Sequence, residues 1–113
     1  MTNFKQVGVM TTDSEREFIR ILINEQVYCV AKNSVKAVVT NGVSFTRVTE
    51  MSGKSVGYLT LSKSKFAVTI KLNDVYHVCK KQDVQELVLG LISQIPVSIV
   101  EEEQSKQQTL PTT

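Results

Sequence analysis

At 113 residues with a formal net charge of +2, the chain has the length of one domain with its own core. Hydrophobic residues make up 42% of it and charged residues 21%, which is typical of a globular protein and excludes a disordered one. No apolar run is long enough to cross a bilayer as a helix, and the polar start of the sequence lacks the pattern of a signal peptide. We therefore expect an intracellular, cytoplasmic protein.

Composition divides the chain into three parts. Residues 1–16 are polar and predict a flexible lead-in. Alternatively, its apolar residues Phe4, Val7 and Val9 could add an edge strand. Residues 17–100 predict a single globular domain. Residues 101–113 are acidic and polar without apolar periodicity, which predicts a disordered tail. Without three acids and one base of that tail, the remaining chain has 12 basic and 8 acidic residues, a net charge of +4.

The first half of the domain predicts a hairpin and a short helix. Phe18–Ile23 is rich in branched residues and predicts a strand covered on both faces along most of its length. Asn24-Glu25-Gln26 turns the chain into a second strand at Val27–Val30. Val35, Val38 and Val39 then recur at helical spacing and predict about one turn of helix. The stiff side chain of valine suits a strand equally well.

A predicted antiparallel meander follows. Asn41-Gly42 is a strong turn signal before a strand at Val43–Thr49, and a polar loop leads from there to residues 56–79. That segment contains three apolar runs separated by polar turns. In the middle run, strict alternation places four residues on one buried face, Phe66, Val68, Ile70 and Leu72.

The end of the domain predicts an amphipathic helix from Val84 to about Gln94, which Pro96 terminates. Its apolar stripe is expected to pack on the buried face of the meander, and Val97–Val100 predicts an edge strand or an extension of the helix. The fold class is therefore α+β. We predict an antiparallel meander or small barrel of about five to seven strands with one C-terminal helix.

One segment resembles another within the chain. Residues 23–32 and 72–80 both contain the end of a strand, a turn, a strand with the pair Val-Tyr and then a lysine. The second segment has one residue fewer in its turn. The apolar helix positions after each segment also correspond. Either the chain contains a duplicated unit, or any hairpin followed by a helix selects such residues.

Catalytic and metal-binding patterns are absent from the sequence. His77 is the only histidine. It lies in the middle of a predicted strand, where we expect it to pack on one face of the sheet or to point into solvent rather than to act as a general base. The two cysteines, Cys29 and Cys79, lack the spacing of a metal or redox motif and predict free, buried thiols. We expect no enzymatic activity, no metal and no cofactor.

A nucleic-acid-binding surface is the strongest functional prediction. Aromatic rings on a sheet stack on bases, and lysines beside them contact phosphates, which together suit single-stranded DNA or RNA. Phe66 belongs to the predicted core, so the tyrosines are the better stacking candidates. Alternatively, the lysines only keep the strands soluble. The predicted contacts are Lys54, Tyr58, Lys63, Lys65, Lys71, Tyr76, Lys80 and Lys81.

The order of elements from Val43 onward, four strands and then one amphipathic helix, resembles the unit of the transcription-coactivator and whirly type of single-stranded-DNA binders. The resemblance covers topology over roughly the last two thirds of the chain. It carries no sequence motif, so no residue takes a role from it.

The competing hypothesis is a regulatory or adaptor module that binds another protein. An exposed edge strand such as Val97–Val100, or the apolar stripe of the C-terminal helix if it is only partly covered, could add to a partner sheet or form a homodimer. Salt dependence separates the two hypotheses, because phosphate binding weakens steeply with salt whereas an apolar interface does not.

Overall fold

A computed structural model describes residues 3–12 and 17–101 of the chain. Within these residues the chain forms eight strands and two helices. In chain order they are β1 Asn3–Thr11, β2 Phe18–Ile23, β3 Gln26–Ala31, α1 Lys32–Asn41, β4 Phe45–Glu50, β5 Ser55–Leu61, β6 Ala67–Leu72, β7 Val75–Lys80, α2 Lys81–Val88 and β8 Gln94–Glu101. None of the described helices has the length and apolar content that a membrane crossing requires.

The strands form one closed antiparallel barrel in sequence order, with β8 paired to β1. Two of the eight neighbouring pairs are short: β3 meets β4, and β7 meets β8, at only two residue pairs each. The barrel therefore consists of two four-stranded sheets, β4–β5–β6–β7 and β8–β1–β2–β3, which join at these two seams. The prediction left open an antiparallel meander or a small barrel, and the structure contains the barrel. It has eight described strands instead of about five to seven, and two described helices instead of the one C-terminal helix.

The first and last described strands, β1 and β8, close the barrel. β1 occupies much of the segment predicted as a flexible lead-in, so the structure contains the alternative there, an added strand. Val97–Val100 lies in β8, which pairs with β1 on one side and with β7 on the other, so the prediction of an edge strand is wrong. Residues 13–16, and the predicted tail beyond Glu101, lie outside the described residues.

Two tight turns fix the register of the hairpins. Asn24 and Glu25 connect β2 to β3, and Asn73 and Asp74 connect β6 to β7, all four with positive φ between 50° and 69°. Positive φ at both central residues defines the type I′ turn, whose twist matches that of paired strands. Asparagine tolerates this conformation well, which explains its presence at the first position of both turns.

The barrel is internally duplicated, with an offset of 49 residues, as between Ile23 and Leu72. The pairs Met10–Ile21 and Leu59–Ile70 correspond, as do Tyr28–Glu50 and His77–Ile99, and the β-bulge in β4–β5 recurs in β8–β1. The structure therefore contains the repeated unit that the sequence suggested. The two turns have the same length, so no residue is missing from the second unit.

Two equivalent glycines show how closely the halves match. A Cβ on Gly57 would lie 1.6 Å from the carbonyl oxygen of Lys71, and a Cβ on Gly8 would lie 2.0 Å from that of Leu22. Both overlaps involve backbone, which cannot move aside without breaking the sheet. Only glycine therefore permits the close approach of β5 to β6 and of β1 to β2.

The core lies inside the barrel and beneath the helices. α1 buries its three valines, which settles the choice between helix and strand at Val35, Val38 and Val39. α2 packs against α1 and against β6, β7 and β8, burying Val84 and Leu87. β6 turns Val68, Ile70 and Leu72 into the same core, as the alternation predicted.

Three details of the sequence prediction are wrong. α2 ends at Val88 rather than near Gln94, because Gly90 adopts a positive φ of 79° and its N–H, with that of Leu91, bonds back to the last turn in a Schellman ending. β2 buries only one face, since Phe18 and Leu22 are exposed on the other. Phe66 is not in the core: it lies before β6 in the turn, with 83% of its surface exposed.

Candidate nucleic-acid interface

The outer face of β4–β5–β6–β7 carries one continuous row of cationic and tyrosine side chains. Cross-strand pairing places Arg47 of β4 beside Tyr58 of β5, Tyr58 beside Lys71 of β6, and Lys71 beside Tyr76 of β7. We call these four residues the cation–tyrosine row. Neighbouring strands lie about 4.8 Å apart, so the row extends about 14 Å across the sheet.

The row forms because four strands expose alternate residues in matched register. Val48, Gly57, Ile70 and Leu72 are buried on the inner face. Because side chains alternate along a strand, their sequence neighbours Arg47, Tyr58 and Lys71 point outward. Arg47 is exposed, Tyr58 and Tyr76 are 46% and 59% exposed, and Lys71 is half-buried. Both rings therefore offer surface to a ligand while their backbone stays fixed in the sheet.

Ring contacts hold two of these side chains in place. Phe45 lies two residues before Arg47 in β4, on the same face of the sheet. Its ring meets the Tyr58 ring edge-to-face, with the centroids 5.2 Å apart and the planes at 86°. The Lys71 ammonium lies 5.8 Å from the centroid of the Tyr76 ring. These contacts limit the orientations of the Tyr58 phenol and the Lys71 ammonium.

Lys71 also has a weak ion pair. Its Nζ lies 3.7 Å from an Asp74 carboxylate oxygen in the β6–β7 turn, and the Asp74 side chain is 93% exposed. An exposed pair of this kind contributes little and is screened by salt. The Asp74 carboxylate therefore holds Lys71 only weakly.

A shallow open groove of about 540 Å³ lies over this face. Its lining combines rings, hydroxyls and a cation, and consists of Ser44, Phe45, Tyr58, Thr60, Thr69, Lys71 and Tyr76. A second depression begins at Tyr58 and Lys71 and extends to Lys54 in the β4–β5 loop. The two depressions share Tyr58 and Lys71, which are thus at the centre of the surface.

The structure separates the predicted site residues into two groups. Tyr58, Lys71 and Tyr76 form the row, with Lys54 beside it. The other four lie toward the opposite end of the sheet. Lys80 is on the same outer face at the end of β7, Lys63 and Lys65 are in the exposed β5–β6 turn, and Lys81 is the first residue of α2.

Sequence reasoning missed Arg47 and Phe45 as site residues. The signal was present, because a hairpin centred on Ser52-Gly53 places Arg47 opposite Tyr58 and Phe45 opposite Thr60. Both residues belong to the predicted strand Val43–Thr49, so only the register was needed to find them.

The inward side chains of β7 suit packing rather than chemistry. His77 is buried, with its Nδ1 3.2 Å from the Ile70 carbonyl oxygen, to which it donates when that nitrogen carries the proton. Cys79 is a free, buried thiol. Burial, with a smaller contribution from the Asp83 carboxylate, raises its pKa from 9.0 to about 12.

Cys29, predicted to be buried, is only half-buried. In the described part of the chain, no three His, Cys, Asp or Glu residues are placed to hold a metal ion.

Comparisons of the chain with protein-family models, with curated proteins and with solved structures found no match.

Proposed function

We propose that this chain is a small, non-catalytic accessory protein that binds single-stranded nucleic acid through the outer face of β4–β5–β6–β7. The observation that carries the proposal is the cation–tyrosine row, in which positive groups and phenol rings alternate across four strands in register. Single-strand binders combine these two chemical groups, since rings stack on bases and cations contact phosphates.

The exposed rings favour single strands over duplexes. A ring can stack on a base only if one face of that base is free, and in a duplex both faces are covered by neighbouring base pairs. The four-stranded sheets of known RNA-binding domains stack two or three bases on their exposed aromatic residues. Tyr58 and Tyr76, separated by β6, offer two such positions.

The cations are placed to contact the backbone that connects those bases. Arg47 and Lys71 lie within the row, and Lys54 borders it. For single strands the logarithm of affinity falls with that of salt by about 0.7 per neutralised phosphate. Three contacts then give a slope of about −2, equivalent to a roughly 20-fold loss of affinity between about 50 and about 200 mM salt.

Fluorescence anisotropy tests this proposal with labelled single-stranded and double-stranded oligonucleotides at these two salt concentrations. We expect salt-sensitive binding with a preference for the single strand. Charge reversal by Lys71→Glu should weaken binding more than the double change Lys63→Glu and Lys65→Glu, since the latter residues lie in the turn. Absence of binding to either probe at about 50 mM salt would contradict the proposal.

The second candidate function, a protein-interaction module, is favoured by a different observation. On the outer face of the other sheet, Val9, Leu22, Val27 and Pro96 form an aliphatic row that is at least partly exposed. A second copy of this chain would cover such a face in a homodimer. Light scattering across a range of concentrations would detect that dimer, and its mass should change little with salt.

A further inference from the structure

The internal duplication supplies a comparison between two equivalent faces of the same molecule. Subtracting 49 from Tyr58, Lys71 and Tyr76 gives Val9, Leu22 and Val27, and adding 49 to Arg47 gives Pro96. Pairing confirms the equivalence, because Val9 lies between Pro96 and Leu22, and Leu22 pairs with Val27. The two rows have the same backbone register, and they differ in side chains at all four positions.

We infer that each chain binds one single strand of nucleic acid, on the β4–β5–β6–β7 face alone, and that the four positions of the cation–tyrosine row determine which face binds. This inference rests on the proposed function. Such a chain holds an isolated strand but cannot bring two strands together through its two faces.

The chemistry of the aliphatic row supports this inference. Val9, Leu22, Val27 and Pro96 carry neither a ring for base stacking nor a charge for phosphate. Among the described residues of that sheet, Phe4 of β1 is 62% exposed, and Phe18 and Arg20 point to the outer side of β2, but all three pair in other rows. Phe4 lies opposite Val100, Phe18 lies opposite Ala31, and Arg20 lies between Thr11 and Cys29. None of them lies in register between two rings, as Lys71 does.

The bulges and glycines of the two sheets match, which argues against a simpler explanation in terms of backbone shape. Gly8 and Gly57 allow the same close approach of strands, and the bulge in β8–β1 matches that in β4–β5. Because the backbone frame is shared, exchange of side chains alone should transfer binding from one face to the other.

Isothermal titration calorimetry with an oligothymidylate of about six nucleotides, within the site sizes of single-strand binders, tests the inference. We expect one oligonucleotide per chain. The double variant Lys71→Ala and Tyr76→Ala should lose all measurable binding. Two oligonucleotides per wild-type chain, or residual binding of one by the double variant, would overturn the inference while leaving single-strand binding intact. If the wild-type chain does not bind at all, the proposed function itself fails.

The reciprocal variant transfers the row to the other face. Val9→Tyr, Leu22→Lys, Val27→Tyr and Pro96→Arg should raise the stoichiometry from one to two, with circular dichroism confirming an intact barrel. A folded variant that still binds one oligonucleotide would show that the four positions do not determine binding. If the variant does not fold, the double variant decides the question by itself.

Discussion

Tyr76→Ala is the substitution that isolates base stacking from charge. Tyr76 is 59% exposed in β7, and its described ring contact is with the Lys71 ammonium 5.8 Å away. Removal of the ring should change the free energy of unfolding by no more than about 0.5 kcal/mol. Stacking of one base on an aromatic side chain is worth about 1 to 3 kcal/mol, so affinity for a single strand should fall by about 5- to 140-fold.

Anisotropy titrations of wild type and variant over a range of salt concentrations would measure this effect. The slope against salt should stay the same, because the substitution removes no charge. Tyr76→Phe keeps the ring and should bind nearly as wild type. Phe18→Ala is the matched control, since Phe18 is 54% exposed on the opposite sheet and should not affect binding. An unchanged affinity for Tyr76→Ala, or an equal loss for Phe18→Ala, would refute the reasoning.

Three other predictions concern affinity, packing and pH. Asp74→Asn removes the carboxylate 3.7 Å from Lys71 Nζ, so affinity for an oligonucleotide measured by anisotropy should rise by up to about fivefold. Leu87→Ala should lower the free energy of urea unfolding by about 2 to 5 kcal/mol, because Leu87 is fully buried, whereas Leu89→Ala at a 61% exposed position should change it by no more than about 0.5 kcal/mol. The raised pKa of Cys79, about 12 against 9.0, means that above about pH 9 the unfolded thiol loses its proton while the native thiol keeps it. Stability should therefore fall with rising pH, by up to about 1.4 kcal/mol per unit, and a Cys79→Ala variant should lack this contribution in urea unfolding at pH 8 and 10.5.

Each of these predictions has an outcome that would contradict it. A lower affinity for Asp74→Asn would mean that the carboxylate supports the site instead of competing with phosphate. Equal effects of Leu87→Ala and Leu89→Ala would show that α2 does not pack as described. Identical pH dependence with and without the Cys79 thiol would show that its titration does not differ between the native and unfolded states.

Local signals predicted most of the strands and both hairpin turns. Alternation and asparagine turns depend on neighbouring residues, so the hairpins β2–β3 and β6–β7 were accessible from sequence. Closure of the barrel was not, because it depends on pairing between β1 and β8 at opposite ends of the chain. The end of α2 was also predictable in principle, but the apolar stripe through Leu91 and Ile95 concealed the glycine stop at Gly90.

The candidate site was only partly predictable. Tyr58, Lys71 and Tyr76 were recognised by residue type, and the turns at Ser64-Lys65 and Asn73-Asp74 bring them into one row. Lys63, Lys65, Lys80 and Lys81 were selected for charge alone, and the structure places them away from the row. Phe66 shows the limit of alternation: it continues the apolar pattern of β6, yet the strand begins only after it, where the turn leaves its ring in solvent.

Backbone amide chemical shifts, measured by NMR while an oligothymidylate is titrated into the isotope-labelled protein, test the central claim most directly. The account predicts that the shifted amides cluster on the outer face of β4–β5–β6–β7, around Arg47, Tyr58, Lys71 and Tyr76. Shifts that cluster instead on β8–β1–β2–β3, or the absence of shifts at an oligonucleotide excess, would contradict it.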